Sequence, residues 1–407
     1  MTFMLENRPL FWGATVAPDA TLAQILTACR ALLCDTDFPT LQRWHELGGK
    51  VLGHFQVYFP EEIAHAAGLL PVKLGCTGDA EGQLDSHFGS YLCSCVKQPL
   101  HLALNHGLDL DMFVAPSICD AARNLTAVWS RNFSYPCRTL YLPQNSASPH
   151  AVDYLRREYD ELAGAMAALG GRAPQGDDLR HSLTVFNRNR ALLRQLYRVK
   201  QQQPWNVPVD ACYLLSAVGS LLPREEHNRL LEASLRLLEH SSPAQTSARE
   251  KIRVLVSGCF CEQPPLEMLE AIGRSCHVVD DDLLLGLRWI DGDIAPHGDP
   301  LAALAAAYGR QSPYCPVRHD GRTTGAESLL RRVHACAARA VILAAPKMCE
   351  PGLEELVPAA AALDRAAIPY CVCEFEQSMH SFDLLELQLE TFAENILYAA
   401  PSRPQGA

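Results

Sequence analysis

Short apolar runs alternate with helix-spaced segments in two separate tracts of this chain. In the first tract, "KVLGHF" and "LLPVKL" flank a short helical stretch that opens at Glu61 and Glu62 behind Pro60; "LDMFVAPS", "CDAARNLTAVWSRNF" and "CRTLYLPQ" then repeat the strand, helix, strand order. Strands joined through helices run parallel, because only a crossover of that length returns the chain to the same edge. Between about residues 150 and 250 the texture changes to amphipathic helices, "AVDYLRREYDELAGAMAALGG", "LRHSLTVFNRNRALLRQLYRVKQ" and "REEHNRLLEASLRLLEH". At Lys251 the first rhythm resumes with "IRVLVSGCF", "CHVVDDD", "ARAVILAAPKMC" and "PYCVCEFE". The expected fold class is α/β, with two Rossmann-like parallel-sheet domains joined by a helical segment. The expected organisation is an N-terminal extension and helix over 1–35, a first α/β domain over 36–150, a helical connector over 151–250 and a second α/β domain over 251–400. The cleft between the two halves is the expected ligand site, and inspection of the sequence reveals no repeat relating them.

Composition narrows the partners. The chain has 35 basic and 46 acidic residues, a net charge of -11, which argues against a nucleic-acid backbone or an anionic membrane surface as its main partner. No run approaches the roughly 20 apolar residues of a membrane span, and the first residues lack a basic start and a continuous apolar segment. A cytoplasmic, reducing location is therefore expected, where 16 cysteines lean towards metal or redox chemistry rather than disulfides. Neither a phosphate loop nor a G-x-G-x-x-G fingerprint occurs, so ATP hydrolysis or dinucleotide binding by this chain has no motif behind it. The G-x-S-x-G and H-E-x-x-H hydrolase signatures are missing as well.

The cysteines follow strand ends. Cys119 comes after "MFVAPSI", Cys349 after "AVILAAPKM", and Cys259 with Cys261 after "IRVLVSG", while Cys93 stands where a loop turns into a helix. Open α/β sheets bind ligands at their carboxyl edges, and a helix start stabilises a thiolate through its free N–H groups and positive dipole end. Three converging thiolates can hold a four-iron cluster and leave one iron open. Since 26 positions separate Cys93 from Cys119 and 230 separate Cys119 from Cys349, no compact metal motif is present, and spacing alone leaves packing and ligation both open. The other cysteines, including Cys371 and Cys373 on one face of a strand, read as packing. Glu262 and Gln263 beside Cys261 are either acid, base or substrate-orienting groups or caps of the next helix. Asp280 to Asp282 read as a solvated loop with helix capping, or else as a magnesium or phosphate site. His54, Gln56 and Tyr58 alternate on the first strand and with His87 either line the cleft or serve the core.

The stretches "VYFPEEIAHAAGLLP", "SYLCSCVKQ", "PSICDAARNLTAVW", "QPWNVPVDACYLL", "LPREEHN", "GCFCEQPPL" and "AAPKMCEPGL" resemble the 2-hydroxyacyl-CoA dehydratase and benzoyl-CoA reductase family, most nearly the C-type subunit of its ATP-dependent (class I) benzoyl-CoA reductase branch. The resemblance implies a [4Fe-4S] cluster held by Cys93, Cys119 and Cys349. The chain departs from the family pattern at Cys95, which keeps that residue as an alternative to Cys93, and at Gln98. It further implies a homologous substrate-binding subunit, ATP-hydrolysing iron-sulfur activator subunits that carry the ATP and magnesium, ferredoxin as electron donor and an aromatic acyl-CoA substrate. Within that picture Glu262 and His87 are candidate catalytic groups, and His54, Gln56, Arg123, Asn124 and Gln263 candidate substrate contacts. A 2-hydroxyacyl-CoA dehydratase subunit that eliminates water, a non-catalytic electron-relay subunit, and a chain whose thiols bind zinc or nothing are the competing expectations.

Overall fold

The computed structural model describes residues 20–75, 87–89, 91–170, 173–240, 251–258, 260–261, 263–376, 379 and 381–398. The first half runs α1 (Leu22–Cys34), α2 (Pro39–Glu46), β1 (Lys50–Phe55), α3 (Glu61–Ala66), β2 (Leu69–Leu74), α4 (Ser94–Asn105), β3 (Met112–Pro116), α5 (Asp120–Asn132) and β4 (Cys137–Leu140). Four helices follow: α6 (Ala151–Gly170), α7 (Gly176–Gln202), α8 (Ala211–Ala217) and α9 (Arg224–Glu239). The second half runs β5 (Ile252–Ser257), α10 (Leu266–Ser275), β6 (Cys276–Asp281), α11 (Pro300–Arg310), α12 (Gly325–Ala335), β7 (Ala340–Pro346), α13 (Glu350–Arg365), β8 (Tyr370–Phe375) and α14 (Asp383–Tyr398). All strand pairings are parallel, in the orders β2-β1-β3-β4 and β6-β5-β7-β8, so the expected fold class holds.

The sequence builds these sheets for a simple reason. A strand covered by helices on both faces must be apolar throughout, and every residue of "MFVAP" in β3 and "AVILAAP" in β7 is buried. Edge strand β8 alternates instead, burying Cys371, Cys373 and Phe375 while Val372 and Glu374 face outward. Along the second sheet Val254, Val256, Ile342 and Ala344 pack in one layer, and Leu255, Val279, Val341 and Leu343 in the opposite one. That is the period of two expected of a strand.

The two sheets share one strand order, which makes β1 equivalent to β5 and β3 to β7. Read in that alignment, the segment Ala115-Pro116-Ser117-Ile118-Cys119-Asp120 matches Ala345-Pro346-Lys347-Met348-Cys349-Glu350. Each strand ends on the proline, and each cysteine is the N-cap of the next helix. This internal correspondence escaped inspection of the sequence because it occupies only a few positions and is aligned by topology.

One continuous core joins the first sheet, the connecting helices and part of the second half. Tyr58 meets Trp289 and Tyr308 edge to face, with ring centroids 5.5 and 5.1 Å apart. Asp280 to Asp282 correct the loop reading: Asp280 and Asp281 end strand β6, and Asp281 is buried against Tyr197, Lys200 and Arg288. A carboxylate this far from water requires such partners. Among the described residues no helix is long and apolar enough to cross a membrane.

Candidate functional site

Cys119 follows β3 and caps α5, its Sγ accepting the N–H of Ala122 at 3.5 Å. Its backbone is extended, at φ -148 and ψ 174, as an N-cap requires. Burial pushes this thiol up, the Ala122 N–H draws it back, and the charge of Cys93 raises it again, so the two sulfurs lie within electrostatic reach of each other. Cys93 is the N-cap of α4. A hydrogen bond from Cys95 is the strongest influence on it; with the N–H groups at the helix start it outweighs burial and brings the thiol down to about 7. Cys95 itself is buried within α4, so the two sulfurs of "CSC" have different surroundings.

On the other sheet, Cys349 follows β7 and is the N-cap of α13. The residue before it, Met348, takes a left-handed backbone at φ 63 and leaves its side chain 56% exposed. A side chain at Gly352 would stand 3.3 Å from Cys349 Sγ and 3.6 Å from the Phe260 ring, so this glycine keeps the first turn of α13 clear around the sulfur. Cys261, on the loop after β5, is buried; burial pushes its thiol well up, and the charges of Cys349, Cys315 and Cys119 add to that. Lys73 acts on it in the opposite sense. Lys73 is itself buried and reaches across from β2 to donate to the Leu284 carbonyl at 2.8 Å.

Thus the charge of Cys93 acts on Cys119, and the charges of Cys119 and Cys349 act on Cys261, although the cysteines follow strands of two different sheets. Three of these thiols sit on helix N-termini, where unpaired N–H groups and the helix dipole favour an anionic group. Among the described residues no three His, Cys, Asp or Glu side chains are grouped to hold one metal ion. A cluster is a different demand, since each cysteine binds its own iron.

The other expected residues are spread more widely. His54 is buried, stacked on Phe59 with centroids 4.3 Å apart and 3.3 Å from Glu61 Oε1; burial lowers its basicity and Glu61 partly restores it. Gln56 is buried at φ 43 and donates to the Leu74 carbonyl at 3.2 Å. Through Glu61, His54 belongs to a buried polar network in which Arg224 bonds Glu61 and His227, and Arg190 bonds Glu62 at 2.6 Å. Arg123 and Asn124 are exposed and fold back on Asp120, at 3.5 Å to its carboxylate and 2.9 Å to its carbonyl. Gln263 is buried with Nε2 lacking a partner among the described residues, and His87 is exposed. Glu262 and Cys259 lie outside the described residues. Sequence reasoning did not single out Lys73 or Arg224. A lysine inside the apolar run "LLPVKL" was the available signal for the first.

A protein-family profile described as "2-hydroxyglutaryl-CoA dehydratase, D-component" matches residues 56–396. The C-type subunit of benzoyl-CoA reductase from Thauera aromatica is 34% identical over 384 residues, covering 92% of this chain and 98% of that protein. The beta subunit of (R)-2-hydroxyglutaryl-CoA dehydratase from Acidaminococcus fermentans is 25% identical over 370 residues, covering 88% and 95%. The beta subunit of lactoyl-CoA dehydratase from Anaerotignum propionicum is 24% identical over 353 residues, covering 86% and 92%.

Proposed function

The chain belongs to the family of the 2-hydroxyglutaryl-CoA dehydratase D-component, and on that basis we propose that it is the cluster-bearing, substrate-binding subunit of an ATP-dependent aromatic acyl-CoA reductase of the benzoyl-CoA type. The observation that carries the reading is the pair of equivalent strand ends, each presenting a cysteine at a helix N-terminus, with Cys93 at a third helix start whose charge acts on Cys119. In this reading Cys93, Cys119 and Cys349 hold a [4Fe-4S] cluster. Cys93 is preferred to Cys95 because it caps its helix as the other two do. When bound, such a cluster supplies one-electron transfer at a potential set by its surroundings.

The chain's own residues do the rest. The N–H groups of α4, α5 and α13 balance negative charge on the thiolates. Phe260, Ile118 and buried Cys261 keep water away, and Lys73 brings a cation to the same region. Electrons come from ferredoxin through separate ATP-hydrolysing iron-sulfur subunits, which accounts for a chain without a phosphate loop. A homologous subunit completes the acyl-CoA site. The names of the relatives, subunits in every case above, support assembly with partners.

Anaerobic purification of the chain with its partners tests this. Iron and acid-labile sulfide are expected to fall by about four each per copy of this chain in Cys119→Ala, the partners keeping their own clusters; unchanged iron in that variant sinks the reading. The dehydratase names among the relatives favour a second reading, water elimination from a 2-hydroxyacyl-CoA. Stoichiometry separates the two: a reductase consumes reductant and ATP at each turnover, whereas a dehydratase recycles its electron.

A further inference from the structure

Edge strand β8 carries Cys371 and Cys373 two residues apart, so the period of two turns both thiols to the same face while Val372 between them points outward. Both are buried in the layer that also holds Phe375, Phe382 and Leu389, and their Sγ atoms lie 3.9 Å apart. Neighbouring β7 places the apolar residues Ile342 and Ala344 opposite them. Apolar surroundings ordinarily disable a thiol. Burial pushes Cys276, in the same layer but on the far edge strand β6, up to about 12, and Cys212 up to about 11. Cys371 goes the other way: the hydrogen bond from Cys373 outweighs burial and draws its thiol below the ordinary value.

A thiol that favours its thiolate, set beside a second thiol, is the arrangement that oxidants attack and a disulfide then closes. Two steps along a strand separate the Cα atoms by roughly 6.6 Å, at the upper end of the span of about 4.4–6.8 Å that a disulfide bridges. A span near that limit strains the bond and makes it easy to reduce. We propose that Cys371 and Cys373 form a reversible oxidation site that reacts with hydrogen peroxide and closes to a disulfide. The Cys371 thiolate attacks one peroxide oxygen and breaks the O–O bond; the leaving oxygen departs as water after protonation, and Cys371 is left as a sulfenic acid. The Cys373 thiol attacks that sulfur and expels a second water. Two thiols are thereby oxidised to one disulfide and one peroxide is reduced to two waters, and a dithiol reductant restores the pair. Cys371 is 6% exposed, on a strand whose outer edge pairs with no other strand among the described residues, which is where a water-sized oxidant reaches it.

Thiol mapping on the full chain tests the proposal. The reduced protein, freed of reductant and held with a chelator, is treated with hydrogen peroxide, denatured in N-ethylmaleimide, digested with trypsin and read by mass spectrometry. Residues 366–407 form one tryptic peptide that holds these two cysteines and no others, and residues 275–288 form one that holds Cys276 alone. The first peptide is expected two hydrogens lighter and without maleimide, and to return in its doubly alkylated form when dithiothreitol precedes the maleimide. Its disulfide is expected to form at least about tenfold faster than the Cys276 thiol is lost, following the contrast in thiolate character. In Cys373→Ser the same treatment is expected to leave a sulfenic acid at Cys371 that dimedone traps, and in Cys371→Ser the Cys373 thiol is expected to stay open to maleimide. The proposal is overturned if both wild-type thiols stay alkylatable, if the pair reacts less than tenfold faster than Cys276, if Cys371 passes to sulfinic acid without a disulfide, or if dimedone finds nothing in Cys373→Ser. The wild-type measurement stands even where a serine variant does not fold. Neither peptide holds a proposed cluster ligand, so failure here leaves the cluster reading untouched.

Discussion

At the scale of single residues, the buried charges beneath β1 have the largest measurable consequences. Glu61 is 1% exposed: burial raises its carboxyl, but Arg224 and His54 outweigh that and hold it at about 2, against an ordinary 4.5. Glu61→Gln leaves the Arg224 guanidinium without its counter-charge in the core, and a loss of roughly 3–5 kcal/mol is expected in urea unfolding at pH 7. The pH dependence follows from the same groups. Burial, then the nearby Arg224 charge, lowers His227 from 6.5 to about 3. A depressed group stabilises the fold fully above its unfolded value and loses that contribution as pH falls through its folded value. Stability is therefore expected to decline as pH drops from 6.5, through His227, and more steeply from 4.5 towards 2, through Glu61. In Glu61→Gln the second decline is expected to shrink, and an unchanged acid limb in urea titrations at graded pH would refute the assignment.

At the scale of elements, strand ends and helix starts are where conformation and chemistry meet. Gly258 leaves β5 at φ +113, and a side chain there would stand 2.4 Å from the Ala344 carbonyl of neighbouring β7. Gly258→Ala is expected to cost about 1–3 kcal/mol through strain, read as a lower Tm. Capping and ligation by Cys119 can be separated in the same way. Cys119→Ala removes the acceptor for the Ala122 N–H and is expected to cost about 1 kcal/mol, whereas Cys119→Ser is expected to keep the cap. If the thiol is also a cluster ligand, the serine variant recovers the apoprotein's Tm without recovering its iron. Recovery of both would make Cys119 a cap and nothing more.

At the scale of the whole molecule, the second half does not stand alone. Trp289, Leu304 and Tyr308 follow β6 in sequence yet pack into the core shared by the first sheet and the connecting helices. A fragment of residues 251–398 is expected to expose these side chains, to bind a hydrophobic dye and to lose a sharp thermal transition, while the full chain unfolds cooperatively. A fragment that melts as sharply as the intact protein would show the halves to be independent.

The alternation of apolar runs with helix-spaced segments by itself determined that both sheets are parallel, because strands joined through helices return to the same edge, and the cysteines after "VAPSI" and "AAPKM" could be placed at strand ends from the same pattern. Their identity as helix caps was half legible in Asp120 and Glu350, acids that suit a first turn. Three things were decided only by the tertiary structure. The equivalence of Cys119 and Cys349 depends on a shared strand order that no local window contains. The burial of His54 depends on Phe59, Glu61 and the connecting helices closing over β1. The aspartates after "HVV" read as a solvated loop until Lys200, Arg288 and Arg332, brought in from distant helices and loops, enclosed them. Periodicity reports which face of an element is covered, whereas the partners of a buried charge are set by elements far away in the chain.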